Sequence, residues 1–265
     1  MSNMRSKFPN NIQSTTPSTT EVTAMNWLIK IMGSWVTLLV VLVAVYGLYR
    51  YMNPVAVARF ALTVEVEVDG KLVSGTSVME GRFWRQHAPL GTPYQSSFQG
   101  EAVVVDLAGR GLLFTLLHDE FYNADAFMLP ERVFKRTHQI PRDQDVPVES
   151  DTRLTQRLAL EKLTGCADLK PEEWPLLVRF QNPLDPSTVE KVDRNNLTAS
   201  FGRRVALSRM FICASEKPLN SQISRVLPWL AKMSGQPLIK GKSGASTIEI
   251  PLAARLDDFA FRRTQ

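Results

Sequence analysis

The hydrophobic period changes three times along this chain, and each change predicts a different element. From Ile31 to Tyr49 (IMGSWVTLLVVLVAVYGLY) no residue is charged, and Lys30 and Arg50 bracket the run. As a helix rising about 1.5 Å per residue it would be about 28 Å long, close to the roughly 30 Å hydrocarbon thickness of a bilayer. The pattern predicts one transmembrane helix over residues 27–52. Trp27, Trp35, Tyr46, Tyr49 and Tyr51 gather towards its ends, where amphipathic rings favour the headgroup level. Lys30 and Arg50 have stems long enough to carry their charges out of the hydrocarbon. Lys30, Trp35, Tyr46, Tyr49 and Arg50 are thus the candidate anchoring residues. A buried core helix rarely lacks charge over five turns. A cleaved signal peptide is opposed by the length of the run, by Arg50 ahead of the small string Ala56-Val57-Ala58, and by the polar leader before it.

From about Phe60 the period becomes two. Leu62, Val64, Val66 and Val68 alternate with Thr63, Glu65, Glu67 and Asp69, which predicts a strand with one buried and one wet face. Asp69-Gly70-Lys71 supplies a turn into a second extended run, Leu72 to Arg85. A second hairpin is expected from AVVVDL (102–107) and LLFTLL (112–117) around Ala108-Gly109-Arg110-Gly111, both strands covered on two faces. Residues 86–100, with Pro89, Gly91, Pro93 and Gly100, read as an irregular loop. Further strands are expected at Leu176–Phe180, Thr188–Val192 and Val205–Ala214.

Period 3.6 is weaker. Glu120 to Phe134 reads as a helix broken at Pro130, Asp151 to Leu163 as a helix stopped by Gly165, and 195–200 as a helical turn ending at Gly202. Leu219, Ile223, Val226, Leu227, Leu230 and Met233 share one helical stripe, interrupted by Pro228. The expected fold class is α+β: one N-terminal transmembrane helix, then a soluble domain over 60–265 with a mainly antiparallel sheet and a few helices. A sub-boundary near 140–150 is possible within it, where Pro141, Asp143, Asp145 and Pro147 form a polar link. Residues 1–26, rich in Ser, Thr, Asn and Pro, read as a disordered leader.

Charge refines the picture. Of 31 Lys/Arg and 26 Asp/Glu, five and one fall in residues 1–59, so the domain itself is nearly balanced. A nucleic-acid-binding domain would carry its own basic excess on one face, so no nucleic acid is expected as partner. The Lys/Arg count beside the span, Lys30 against Arg50 and Arg59, is nearly even. A domain of about 200 residues translocates with little regard to its charge. The expected arrangement is a membrane anchor, a cytoplasmic leader and an extracytoplasmic domain, with the lipid bilayer as a partner.

Candidate chemistry is sparse. Gly241-Lys242-Ser243 lacks the glycine that a phosphate-binding loop needs, since Gln236 occupies its place. No G-x-S-x-G elbow surrounds the serines, and no C-x-x-C motif exists. Cys166 and Cys213 are either two small buried hydrophobes or one disulfide made in an oxidising compartment. His118-Asp119-Glu120 with His138 is the best metal or acid–base candidate, because imidazoles and carboxylates can ligate zinc or relay protons. At most two of the three adjacent side chains can converge from a strand. No catalytic, metal or cofactor residues are assigned, and no cofactor is expected. The expected role is an interaction or scaffold domain at the membrane; the alternative is a hydrolase using Glu120 with His118 or His138.

Taken together, the single apolar anchor, the run RFALTVEVEVDGKLVSGTSVME, then GEAVVVDLAGRGLLFTLL and later SRVLPWL resemble an uncharacterised family of bacterial single-pass membrane-anchored proteins with no assigned activity. The resemblance spans nearly all of residues 31–265. It implies a bacterial envelope setting, with the anchor in the inner membrane and other envelope proteins as partners, and brings no site residues.

Overall fold

The computed structural model describes residues 19–53, 55–85, 94–119, 125–137, 139–140, 156, 159–233, 235–240 and 250–264. The expected leader up to residue 18, Glu120, His138, the polar link, most of the expected helix over 151–163 and Gly241-Lys242-Ser243 lie outside them. The chain divides into two units, Met1–Pro54 and Val55–Gln265.

The first unit holds α1 (Thr19–Met52), which begins well before residue 27 and takes in residues expected in the leader. The stretch Trp35–Met52 is long and apolar enough to cross a membrane, and none of it is buried. Trp35, Tyr46, Tyr49 and Arg50 are all exposed on it, and Lys30 lies further towards its start.

The second unit is built on β1 (Val55–Val68) and β2 (Lys71–Arg85), an antiparallel hairpin closed by Asp69 and Gly70. Both turn residues have positive φ, 51° and 79°, as a two-residue hairpin turn requires. The alternation read from the sequence holds: Phe60, Leu62, Val64 and Val66 are buried on one face of β1. Each buried side chain of that size contributes on the order of 2 kcal/mol. The strand starts at Val55, ahead of the expected Phe60, because the small residues Ala56 and Ala58 continue the buried face.

Around this hairpin lie β3 (Tyr94–Glu101), β6 (Cys166–Asp168), β9 (Val205–Ala214) and β10 (Arg262–Thr264), giving the six-stranded order β10-β3-β2-β1-β9-β6. A second sheet runs in the order β4-β5-β7-β8, from β4 (Val103–Asp106), β5 (Leu112–Thr115), β7 (Leu177–Phe180) and β8 (Val189–Lys191). All pairs are antiparallel. The domain is therefore α+β, as expected.

β3 corrects the loop expected over 86–100. Its sequence YQSSFQGE is largely polar, with Phe98 as its buried apolar side chain, and pairing with β2 and β10 makes it a strand. β3 passes into β4 across Ala102, whose N–H donates to the Phe261 carbonyl at 2.7 Å, so one extended segment serves both sheets. Where β4 crosses β2, Gly75 allows contact: a Cβ there would lie 2.2 Å from the Val104 carbonyl oxygen. β2 also has a stretch of edge that β3 does not reach. There the Asn220 carboxamide accepts from the Val78 N–H (2.7 Å) and donates to the Thr76 carbonyl (3.1 Å).

The helical expectations are met in fragments. Pro130 starts rather than breaks α2 (Leu129–Arg136), since proline fits a first helical turn. α3 (Leu197–Phe201) ends at Gly202 with φ 86°. The stripe around Pro228 splits into α4 (Ile223–Val226) and a 3-10 turn over Pro228–Lys232. α5 (Leu252–Arg255) and β10 were not foreseen. The buried Glu101 carboxylate accepts from the N–H groups of Gln222 and Ile223 (2.7 and 3.0 Å) and holds the start of α4.

Of the two expectations for the cysteines, the bond is realised. Cys166 and Cys213 face each other across β6 and β9 and form a disulfide, with Cα atoms 4.0 Å apart. The neighbouring Ala214 N–H donates to Gly165, which leaves the cysteines at a non-hydrogen-bonded pair where side chains come closest. On the same face of the sheet, Glu80 is 2% exposed between Arg59 and Arg82. Burial opposes its ionisation, but hydrogen bonds from Arg59 and Arg82 prevail and hold the carboxyl below its ordinary value.

Candidate binding cleft

A cleft of about 510 Å³, open to solvent, lies where β7 and β8 begin and end. Its size falls within the range of small-molecule sites. Trp174, Pro175, Leu176, Leu177 and Val192 give it an apolar floor, and Asp119, Glu172, Lys191, Asp193 and Arg194 supply the charged rim.

Each wall is held from outside the cleft. The 3-10 turn Pro171–Glu173 turns on Glu173, a buried carboxylate that accepts from the Lys170 N–H (2.8 Å) and from Arg136 Nη2 (3.0 Å). Trp174 follows directly, and its indole N–H donates to the Leu169 carbonyl at 3.2 Å. That bond fixes the ring by its polar edge and leaves it half-buried against the cleft. Leu176 is fixed by strand bonds, its N–H donating to His118 and its carbonyl accepting from Leu116. On the opposite wall Arg194 Nη1 donates to the Pro171 carbonyl (2.6 Å), and Asp193 accepts from the Asn195 N–H (2.9 Å). The rim is thus braced through main-chain groups, while its charged ends border the open space.

The structure separates the sequence-derived candidates. His118 is 2% exposed behind the floor, its Nδ1 2.7 Å from the Asp119 carbonyl, whereas Asp119 lines the cleft. Glu120 and His138 lie outside the described residues. Among the described residues no group of three or more His, Cys, Asp or Glu is placed to hold a metal ion. The cleft itself was not foreseen. The available signal was Trp174 in KPEEWP, a large aromatic between prolines in a polar stretch.

Comparison of the chain with protein-family models, with curated proteins and with solved structures gives no match.

Proposed function

We propose that the protein is a single-pass inner-membrane protein of a bacterial envelope whose domain, residues 55–265, is a binding module on the extracytoplasmic side. The observation that carries this reading is the Cys166–Cys213 disulfide. The chain has two cysteines, and a structural bond between them persists in an oxidising compartment, not in a reducing cytoplasm. The exposed apolar stretch Trp35–Met52 supports anchoring, since eighteen such residues in water would be costly. The open cleft, with an apolar floor and a braced polar rim, supports binding as the domain's task. The partners are then the lipid bilayer and other components of the envelope.

A reporter active only outside the cytoplasm, fused after Gln265, tests the reading together with an N-terminal tag. Reporter activity is expected, with tag and reporter on one chain that stays in the membrane after alkaline carbonate extraction. Activity from a cytoplasmic reporter alone would reverse the topology. Loss of the tag with release of the domain would replace the anchor by a signal sequence.

A further inference from the structure

We infer that the cleft beside Trp174 binds a neutral saccharide, an inference that rests on the binding-module reading above. Three features of the cleft select that chemistry. The first is the indole. Trp174 is held at its N–H edge by Leu169 and, half-buried, lines the cleft together with Pro175 and Val192, so its aromatic surface there is set in advance. A sugar ring has a face of C–H groups that lies flat on such a surface, and a ring fixed in advance loses little freedom on binding.

The second feature is the mixture of donors and acceptors around that face. Arg194 has five N–H donors and spends one on Pro171, and Asp193 accepts from Asn195 with one of its oxygens. Among the described residues, Glu172 has only a loose contact with Lys170, 3.9 Å away. Hydroxyl groups both donate and accept, so a polyhydroxylated ligand can satisfy this alternation, whereas a purely anionic or cationic one meets an unfavourable partner on every side. The third feature is exposure. Glu172 is 69% exposed, and Asp193 and Arg194 are exposed as well. Ion pairs in such positions gain little over water, so a charged ligand has little to gain from the rim. What the cleft rewards is contact with the indole and hydrogen bonding around it.

The test is calorimetric titration of the full-length protein in lipid nanodiscs, prepared without glycoside detergents, with cellotriose, maltotriose and chitotriose, and with trialanine as the peptide comparison. Saturable binding of at least one trisaccharide is expected, weakened about tenfold or more by Trp174→Ala and measurably by Arg194→Ala. Trp174→Phe, which keeps a flat ring, should retain part of the affinity. If Trp174→Ala fails to fold, Arg194→Ala at the exposed rim and Trp174→Phe decide the matter. Absence of binding by all three sugars would overturn the inference. So would binding that neither substitution changes, or equal binding of trialanine. None of these outcomes alters the reporter and tag results, so the ligand can fail while the extracytoplasmic binding module stands.

Discussion

Substituting Gly75 by alanine tests the close crossing of the two sheets. The added Cβ would lie 2.2 Å from the Val104 carbonyl oxygen, 2.8 Å from its carbon and 3.1 Å from Val103 Cγ1. Two of these atoms are main chain of β4, which pairs with β5 and cannot turn aside as a side chain can. Overpacking a core typically costs about 1–3 kcal/mol, and an obstruction of main-chain atoms belongs at the upper end. Alanine in a strand returns about 0.5–1 kcal/mol relative to glycine, which leaves a net loss of about 2 kcal/mol. For a domain of this size the midpoint of thermal unfolding should fall by about 4–8 °C. Circular dichroism melting of the variant beside the parent protein measures it. Gly100→Ala is the comparison, because there the nearest atom, Met79 Cγ at 2.8 Å, belongs to a flexible side chain and the loss should be smaller. A Gly75→Ala protein as stable as the parent would refute the crossing.

Glu80→Gln should destabilise the domain by about 1–2 kcal/mol at neutral pH, measured by denaturant unfolding, because Arg59 and Arg82 lose a buried acceptor. Since the folded carboxyl titrates below its ordinary value of 4.5, its contribution is present above that pH and is lost as pH falls through the lower folded value. The variant should lack that part of the acid sensitivity. Opening the Cys166–Cys213 bond by a double serine substitution should cost about 2–4 kcal/mol, given the 47-residue separation it closes. Protein alkylated on isolation, without reductant, should carry no label on either cysteine. Under the binding-module reading, alanine at His118, Glu120 or His138 leaves cellular function intact where the variant still folds; a folded, abundant variant without function would favour the hydrolase.

Much of the fold was legible where a local pattern and the tertiary environment agree. Phe60 to Val68 alternate because one face of β1 is buried and the other carries Thr63, Glu65 and Glu67. Asp69 and Gly70 mark the turn by residue type alone. β3 was hidden because its side chains are mostly polar, while its strand character comes from partners, β2 and β10, that a local window does not contain. The disulfide was undecidable for the same reason. Only the distant register of β6 on β9 sets Cys166 opposite Cys213. The cleft was the least legible part, since Trp174 and Arg194 are joined by the course of the chain around β7 and β8, not by spacing.

Asn220 has a consequence for how copies of this protein coexist. A long hairpin with an unpaired flank is a template on which another chain can add a strand. By bonding to both Thr76 and Val78, one carboxamide occupies the donor and the acceptor that an incoming strand would need there. It terminates the sheet at that point, so neighbouring domains are denied β2 as a place to polymerise.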